Sequence, residues 1–86
     1  MKYKVYILKS CYKEKYYIGC TSDLQNRIKE HNSGKTKSTK SYKPWKIIYT
    51  ESFKNKKEAY KREWHLKHPK GYLEKIEIIK KFGSVA

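Results

Sequence analysis

The sequence predicts an α+β domain, a small antiparallel three-stranded sheet flanked by helices in the order β-β-α-β-α-α. Two runs rich in aromatic and β-branched residues, Lys4 to Ser10 and Tyr16 to Thr21, are joined by the polar tetrapeptide Tyr12-Lys13-Glu14-Lys15, the pattern of a hairpin. Apolar spacing then changes to a helical period, and a third strand-like run, Lys46 to Phe53, precedes two further helical segments.

The first run is nearly apolar on both faces, as an interior strand requires. With residues 12–15 as the turn, Cys11 faces Tyr16, Cys20 faces Ile7 and Gly19 lies across from Leu8. Tyr6, Leu8, Tyr17 and Gly19 then share one face, and a slip of one residue would part the two tyrosines. Gly19 leaves room above the sheet for a close approach.

Ser22-Asp23-Leu24-Gln25 has the form of a capping box, Asp23 is itself a cap residue, and Gly34 suits a helix stop. Between them Leu24, Arg27, Ile28 and His31 fall at i, i+3, i+4 and i+7, with Arg27 and His31 on the edge of the core-facing stripe. From Ser33 to Trp45 the chain is mostly Ser, Thr and Lys, the composition of a loop. Asn55-Lys56-Lys57-Glu58 starts a second helix that ends before Pro69. A last helix sets Tyr72, Ile76 and Ile79 on one face, with Gly83 beyond its end. No repeat or linker interrupts the chain, so residues 1–86 form a single domain.

A domain of 86 residues buries only ~60–65 % of its unfolded surface. Twenty-two Lys and Arg against eight Asp and Glu leave a formal charge of +14, which favours a polyanionic partner over a merely basic surface. Nucleic acid is the better fit, because no long basic amphipathic helix with a broad apolar face marks a membrane binder. No apolar run approaches the ~20 residues that cross a bilayer, and no signal-like segment follows the first lysines. Lys35, Lys37, Lys40 and Lys43 alternate with Ser and Thr, which suits phosphate contacts as well as a plain solvated loop.

Cys11 and Cys20 sit at opposite ends of the hairpin and are not expected to bond. Their spacing is also wrong for a zinc site completed by His65 and His68. Reduced thiols fit a cytoplasmic location.

Glu63 is the anomaly. On a wheel with Ala59 at zero it falls at about 40°, with Leu66 to one side and Tyr60 and Trp64 to the other. Glu58, Lys61, Arg62 and His65 take the solvent side. A carboxylate aimed at a core needs a cation, a donor or a metal. A salt bridge with Arg27 and a Mg²⁺ site are both consistent with the position. No second acidic residue is placed to join it, so any metal chemistry should be single-ion.

Taken together, Val5-Tyr6-Ile7-Leu8, Tyr17-Ile18-Gly19, Leu24 to Asn32 with Arg27 and His31, and Glu58-Ala59-Tyr60-Lys61-Arg62-Glu63 resemble the GIY-YIG nuclease family, particularly its small stand-alone bacterial members. The resemblance spans residues 3 to about 82. It implies the same three-stranded fold and a metal-dependent endonuclease that hydrolyses phosphodiester bonds. It further implies that Tyr6 and Tyr17 line the site, Arg27 contacts the scissile phosphate and Glu63 holds Mg²⁺ (or Mn²⁺). His31 stands where relatives place a histidine or tyrosine. Lys4 and Val5 replace the Gly and Ile of the name motif. Some relatives carry a further polar residue, often asparagine, after the metal ligand, and Lys67 is the candidate here. The separate DNA-recognition domains of larger relatives have no counterpart, which implies structure- rather than sequence-specific cutting, of DNA before RNA.

Chemically, Tyr6 would help deprotonate water, provided that Arg27 and nearby lysines lower a phenol pKa ordinarily near ~10. His31, ordinarily ~6.5, is the alternative base. The competing function class is a non-catalytic basic nucleic-acid-binding module on the same fold.

Overall fold

Apolar side chains on both sides of one strand dictate the layering. The structure, a computed structural model, describes residues 2–83, so residues 1 and 84–86 of the predicted domain lie outside the described residues. β1 (Tyr3–Ser10) lies between β2 (Tyr16–Thr21) and β3 (Trp45–Phe53), antiparallel to both. Its four central residues, Val5 to Leu8, are at most 1 % exposed. Val5 and Ile7 join Ile18, Ala59 and Leu66 beneath α2 (Lys56–Lys67) and α3 (Tyr72–Phe82). Tyr6 and Leu8 join Trp45, Leu24 and Ile28 beneath α1 (Leu24–Ser33). The predicted element order and interior first strand are both present. Short 3₁₀ turns at Lys40–Tyr42 and Pro69–Gly71 are additions.

The hairpin register differs from the prediction by two residues. Tyr6 faces Gly19, Leu8 faces Tyr17, Val5 faces Cys20, and Lys9 with Tyr16 is the last ladder pair. Ser10 is the reason. Its buried hydroxyl accepts from the N–H groups of Tyr12 and Lys13, and donates to the Tyr42 carbonyl. The Cys11 N–H is taken by the Pro44 carbonyl instead of pairing across to Tyr16. An even shift leaves every side chain on its expected face, so the tyrosines stay together. Cys11 and Cys20 are both free thiols.

On the other side of β1, Ile7 faces Tyr49 while Leu8 faces Ile47, so Ile48 is the extra residue of a bulge. The bulge lets Ile48 and Tyr49 both pack on the α2/α3 side, while Ile47 serves the α1 side.

Asp23, not Ser22, caps α1: its carboxylate accepts from the Asn26 N–H at 3.2 Å. Gly34 closes the helix at φ +85°, a conformation that favours glycine. Asn32 clamps α1 to the start of β3, donating to the Trp45 carbonyl and accepting from its N–H.

Helix α2 corrects the predicted apolar arc. Ala59 and Leu66 are buried as expected, but Tyr60 and Trp64 are 48 % and 59 % exposed. Arg62, predicted to face solvent, is 22 % exposed and bridges Glu51 of β3 and Glu74 of α3. The buried arc is therefore narrower and rotated, running from Arg62 to Glu63 with Ala59 and Leu66 at its centre. On α3, Tyr72 is likewise exposed, and Ile78 packs against the core.

Arg62 ties one helix to a strand and to a second helix, and its removal leaves Glu51 without its cation and Glu74 with only His65, 3.5 Å away. Arg62→Met is expected to cost about 1–2 kcal/mol, between the values for exposed and buried pairs. In a domain of this size that lowers the melting temperature by at least ~4 °C. A melting curve identical to that of the unaltered protein would contradict the bridging role.

Candidate active site

The site is organised by a tyrosine that lies across a glycine. Tyr6 and Gly19 are directly paired across the β1–β2 ladder. A Cβ placed on Gly19 would sit 2.4 Å from the Tyr6 hydroxyl oxygen and 3.0 Å from the Tyr17 ring. The space predicted above Gly19 is thus filled by the protein's own phenol. Tyr17 shares the face, with its ring centroid 6.3 Å from that of Tyr6 and 4.6 Å from that of His31.

His31 is the buried residue of α1, fully enclosed instead of lying at the edge of the helical stripe as predicted. Its Nε2 lies 3.2 Å from Tyr6 Oη and its Nδ1 lies 2.9 Å from Thr39 Oγ1. A neutral imidazole satisfies both contacts. Tyr6 donates to Nε2, the Nδ1 hydrogen is donated to Thr39, and the Thr39 hydroxyl donates to the Thr36 carbonyl at 3.3 Å. Thr39 is itself held by Trp45, whose indole N–H donates to the Thr39 carbonyl at 2.9 Å. Sequence reading passed over Thr39 because it sits in a polar loop; an isolated buried threonine there leaves no periodic signal.

Burial, and then the positive charge of Arg27, lower the His31 pKa from its ordinary value. Burial also dominates at Tyr6, whose pKa is pushed up to about 12 despite the hydrogen bond from Arg27. Arg27 does lower the phenol's pKa, as predicted, but does not bring it below its ordinary value. Desolvation outweighs the guanidinium.

Arg27 projects from α1 with a third of its side chain exposed. Nε donates to Tyr6 Oη over a long 3.4 Å, and Nη1 pairs with Glu30 at 2.8 Å. The proposed Arg27–Glu63 salt bridge is absent. Glu63 instead accepts from Lys67 Nζ at 2.8 Å, one helical turn away. Although α2 packs on the opposite face of the sheet, Lys67 Nζ lies 5.7 Å from the Tyr17 ring centre. The negative charge of Glu63 acts on both Tyr6 and Cys20. The Glu63–Lys67 pair thus borders the tyrosine face where β2 forms the edge of the sheet.

As a metal ligand set, Glu63 offers one carboxylate, 20 % exposed. Among the described residues no group of three or more His, Cys, Asp or Glu could hold an ion. That donor set fits a hard cation that takes most of its ligands from water and phosphate, with Lys67 as the group to be displaced or shared.

Tyr6, Tyr17, Arg27 and His31 are thus brought together, with Glu63 at the border. Lys35, Lys37, Lys40 and Lys43 are exposed in the loop that carries Thr39. Lys40 and Lys43 gather beside Gly34 at the C-terminal end of α1, where cations complement the helix dipole.

The GIY-YIG catalytic domain model matches residues 2–77. A UPF0213 protein of Clostridium perfringens is 48 % identical over 64 residues, covering 73 % of this chain and 68 % of that one. The UPF0213 protein YsiG of Lactococcus lactis is 40 % identical over 80 residues, covering 92 % and 76 %. The solution NMR structure of a UPF0213 protein from Bacillus halodurans superposes with a TM-score of 0.58 at 35 % identity, covering 98 % of this chain and 88 % of that one.

Two outcomes are expected from this geometry. Gly19→Ala should destabilise the fold by ~1–3 kcal/mol in denaturant titrations, the usual range for an overpacked core. The double variant with Tyr6→Leu should cost less than the sum of the single changes, because leucine removes both clashing atoms, the hydroxyl oxygen and the ring carbon that bears it; strict additivity would contradict the clash.

The second outcome concerns pH. Because His31 binds its proton more weakly in the folded chain, stability is complete above ~6.5 and is lost as pH falls through the lowered folded value. Glu51 and Glu74, held low by Arg62, lose their contribution only below 4.5. Melting temperatures should thus already fall as pH drops from roughly 7 to 5, and a flat profile there would contradict a buried neutral imidazole.

Proposed function

This chain belongs to the GIY-YIG catalytic domain family, and on that premise we propose that it is a single-metal endonuclease acting on nucleic acid, DNA before RNA and structure before sequence. The family carries the coarse statement, a nuclease-type domain. The observation that supports the finer one is the hydrogen-bonded chain Arg27–Tyr6–His31–Thr39 beside the Glu63 carboxylate.

That chain joins the two rival base assignments into one path. A water molecule beside Tyr6 passes a proton to the phenol oxygen as the phenol passes its own to His31 Nε2. His31 is the terminal acceptor, because the phenol, its pKa pushed up to about 12, is protonated at rest and can take the water's proton only by giving up its own. Thr39 fixes the tautomer that leaves Nε2 free to accept. Arg27 exchanges its long contact with Tyr6 for a phosphate oxygen, keeping Glu30 as its second partner. Tyr17 walls the site beside both rings. Glu63 is the residue that would hold Mg²⁺ or Mn²⁺, which when bound supplies Lewis-acid stabilisation of the departing 3′-oxygen. The charge of +14 supplies affinity for the backbone. Among the described residues no helix is long and apolar enough to cross a membrane; a cytoplasmic location remains part of the proposal.

A second reading is a non-catalytic nucleic-acid-binding module. It is favoured by one observation, that Lys67 already neutralises the single carboxylate.

Incubation with branched, flapped, single-stranded and duplex DNA, and with RNA, in Mg²⁺, Mn²⁺ or EDTA separates the two. Cleavage is expected with metal only. Glu63→Gln should nearly abolish it, while stability changes by no more than ~0.5 kcal/mol, the worth of an i,i+4 pair. Tyr6→Phe should lower turnover by roughly 10²–10⁴-fold, as for loss of a general base. Full cleavage by well-folded Glu63→Gln protein would end the single-metal mechanism, and no cleavage of any substrate would favour the binding module.

A further inference from the structure

Tyr60, Trp64 and His68 recur every four residues along α2 and its cap, yet the first two are about half exposed instead of being core. Trp64 and His68 are stacked on each other, with ring centroids 4.3 Å apart and planes 28° apart. Lys56 Nζ lies 5.3 Å from the Tyr60 ring centre. Tyr60 and Lys56 also line an open cleft of about 410 Å³ with Arg27 and Asn26. The row therefore begins at the phosphate-binding arginine and runs outward beside Glu63.

From this arrangement we propose that the exposed aromatic row of α2 is a stacking surface for unpaired bases of a strand whose phosphate reaches Arg27. The inference rests on the nucleic-acid reading given above. Exposed rings flanked by lysines suit a single strand, because stacking tolerates any base while the cations follow the backbone. The Trp64–His68 stack is already formed, so little side-chain freedom is lost on binding. A duplex keeps its base faces covered and gains only the electrostatic part. A second copy of this chain is a poor occupant, since it brings +14 against +14.

The test measures binding of a short oligothymidylate and of a duplex of equal length, in EDTA so that nothing is cut. Trp64 emission should be quenched by the single strand. Trp45, the other tryptophan, is 5 % exposed and out of reach of a base. Trp64→Ala should weaken single-strand binding by roughly five- to a hundred-fold, the usual loss for one stacking ring. Duplex binding should stay within about two-fold, as expected for backbone electrostatics. Trp64→Phe should keep most of the affinity and Trp64→Leu should not. Equal losses on both ligands, no loss on the single strand, or Leu serving as well as Phe would each overturn the stacking surface. So would a self-associating protein that Trp64→Ala renders monomeric in sedimentation. If the unaltered protein bound neither ligand, the nucleic-acid reading would fail. If it bound both and Trp64→Ala changed neither, only the stacking surface would fall.

Discussion

Everything at the candidate site follows from the contact between one phenol and one imidazole inside the α1 face of the sheet. Tyr6 can lie where it does because Gly19 has no side chain, and its hydroxyl then has a single deeply buried partner, His31. Burial disfavours a charge on either group, so both are neutral at rest. The arrangement also determines how α1 is attached. Its one fully buried residue is polar, and the helix is seated by a hydrogen-bonded ring backed by partly buried Leu24 and Ile28.

The chain sorts its charges unevenly. The acidic side chains Glu30, Glu51, Glu63 and Glu74 are each engaged by a cation. With twenty-two basic residues and eight acidic ones, most lysines have no internal counter-ion to find. Acidic residues thus serve as local ties, while the excess cations form the field in which a polyanion would move. Arg62 shows the structural use of a guanidinium, bridging two carboxylates at once, and Arg27 keeps one carboxylate and one loosely held phenol contact.

Most of the fold was legible because its signals are local and periodic. The two-sided apolarity of Val5 to Leu8, the change of period after Thr21 and the Asn55 cap each lie within a few residues. The hairpin register was not fully legible. It turned on the Ser10 hydroxyl and on the Pro44 carbonyl, a partner more than thirty residues away. Glu63 was found by its odd place on the wheel, but Tyr60 and Trp64 misled that wheel into too wide an apolar arc. Hydropathy reads an exposed aromatic ring as core whatever its purpose. The burial of His31 and its bond to Thr39 were beyond reach, since they depend on how a polar loop folds back over α1.

That loop has a kinetic meaning. The imidazole is kept dry and in one tautomer by Thr39, which hangs on the Trp45 indole across a segment of exposed Ser, Thr and Lys. Such segments open far more often than the sheet beneath them. Each opening would admit water to His31, restore its ordinary basicity and uncouple it from Tyr6. On the mechanism proposed above, the fraction of molecules ready to act at any instant would be set less by the stability of the domain than by the opening equilibrium of residues 35–44, and anything that presses that loop shut would raise it.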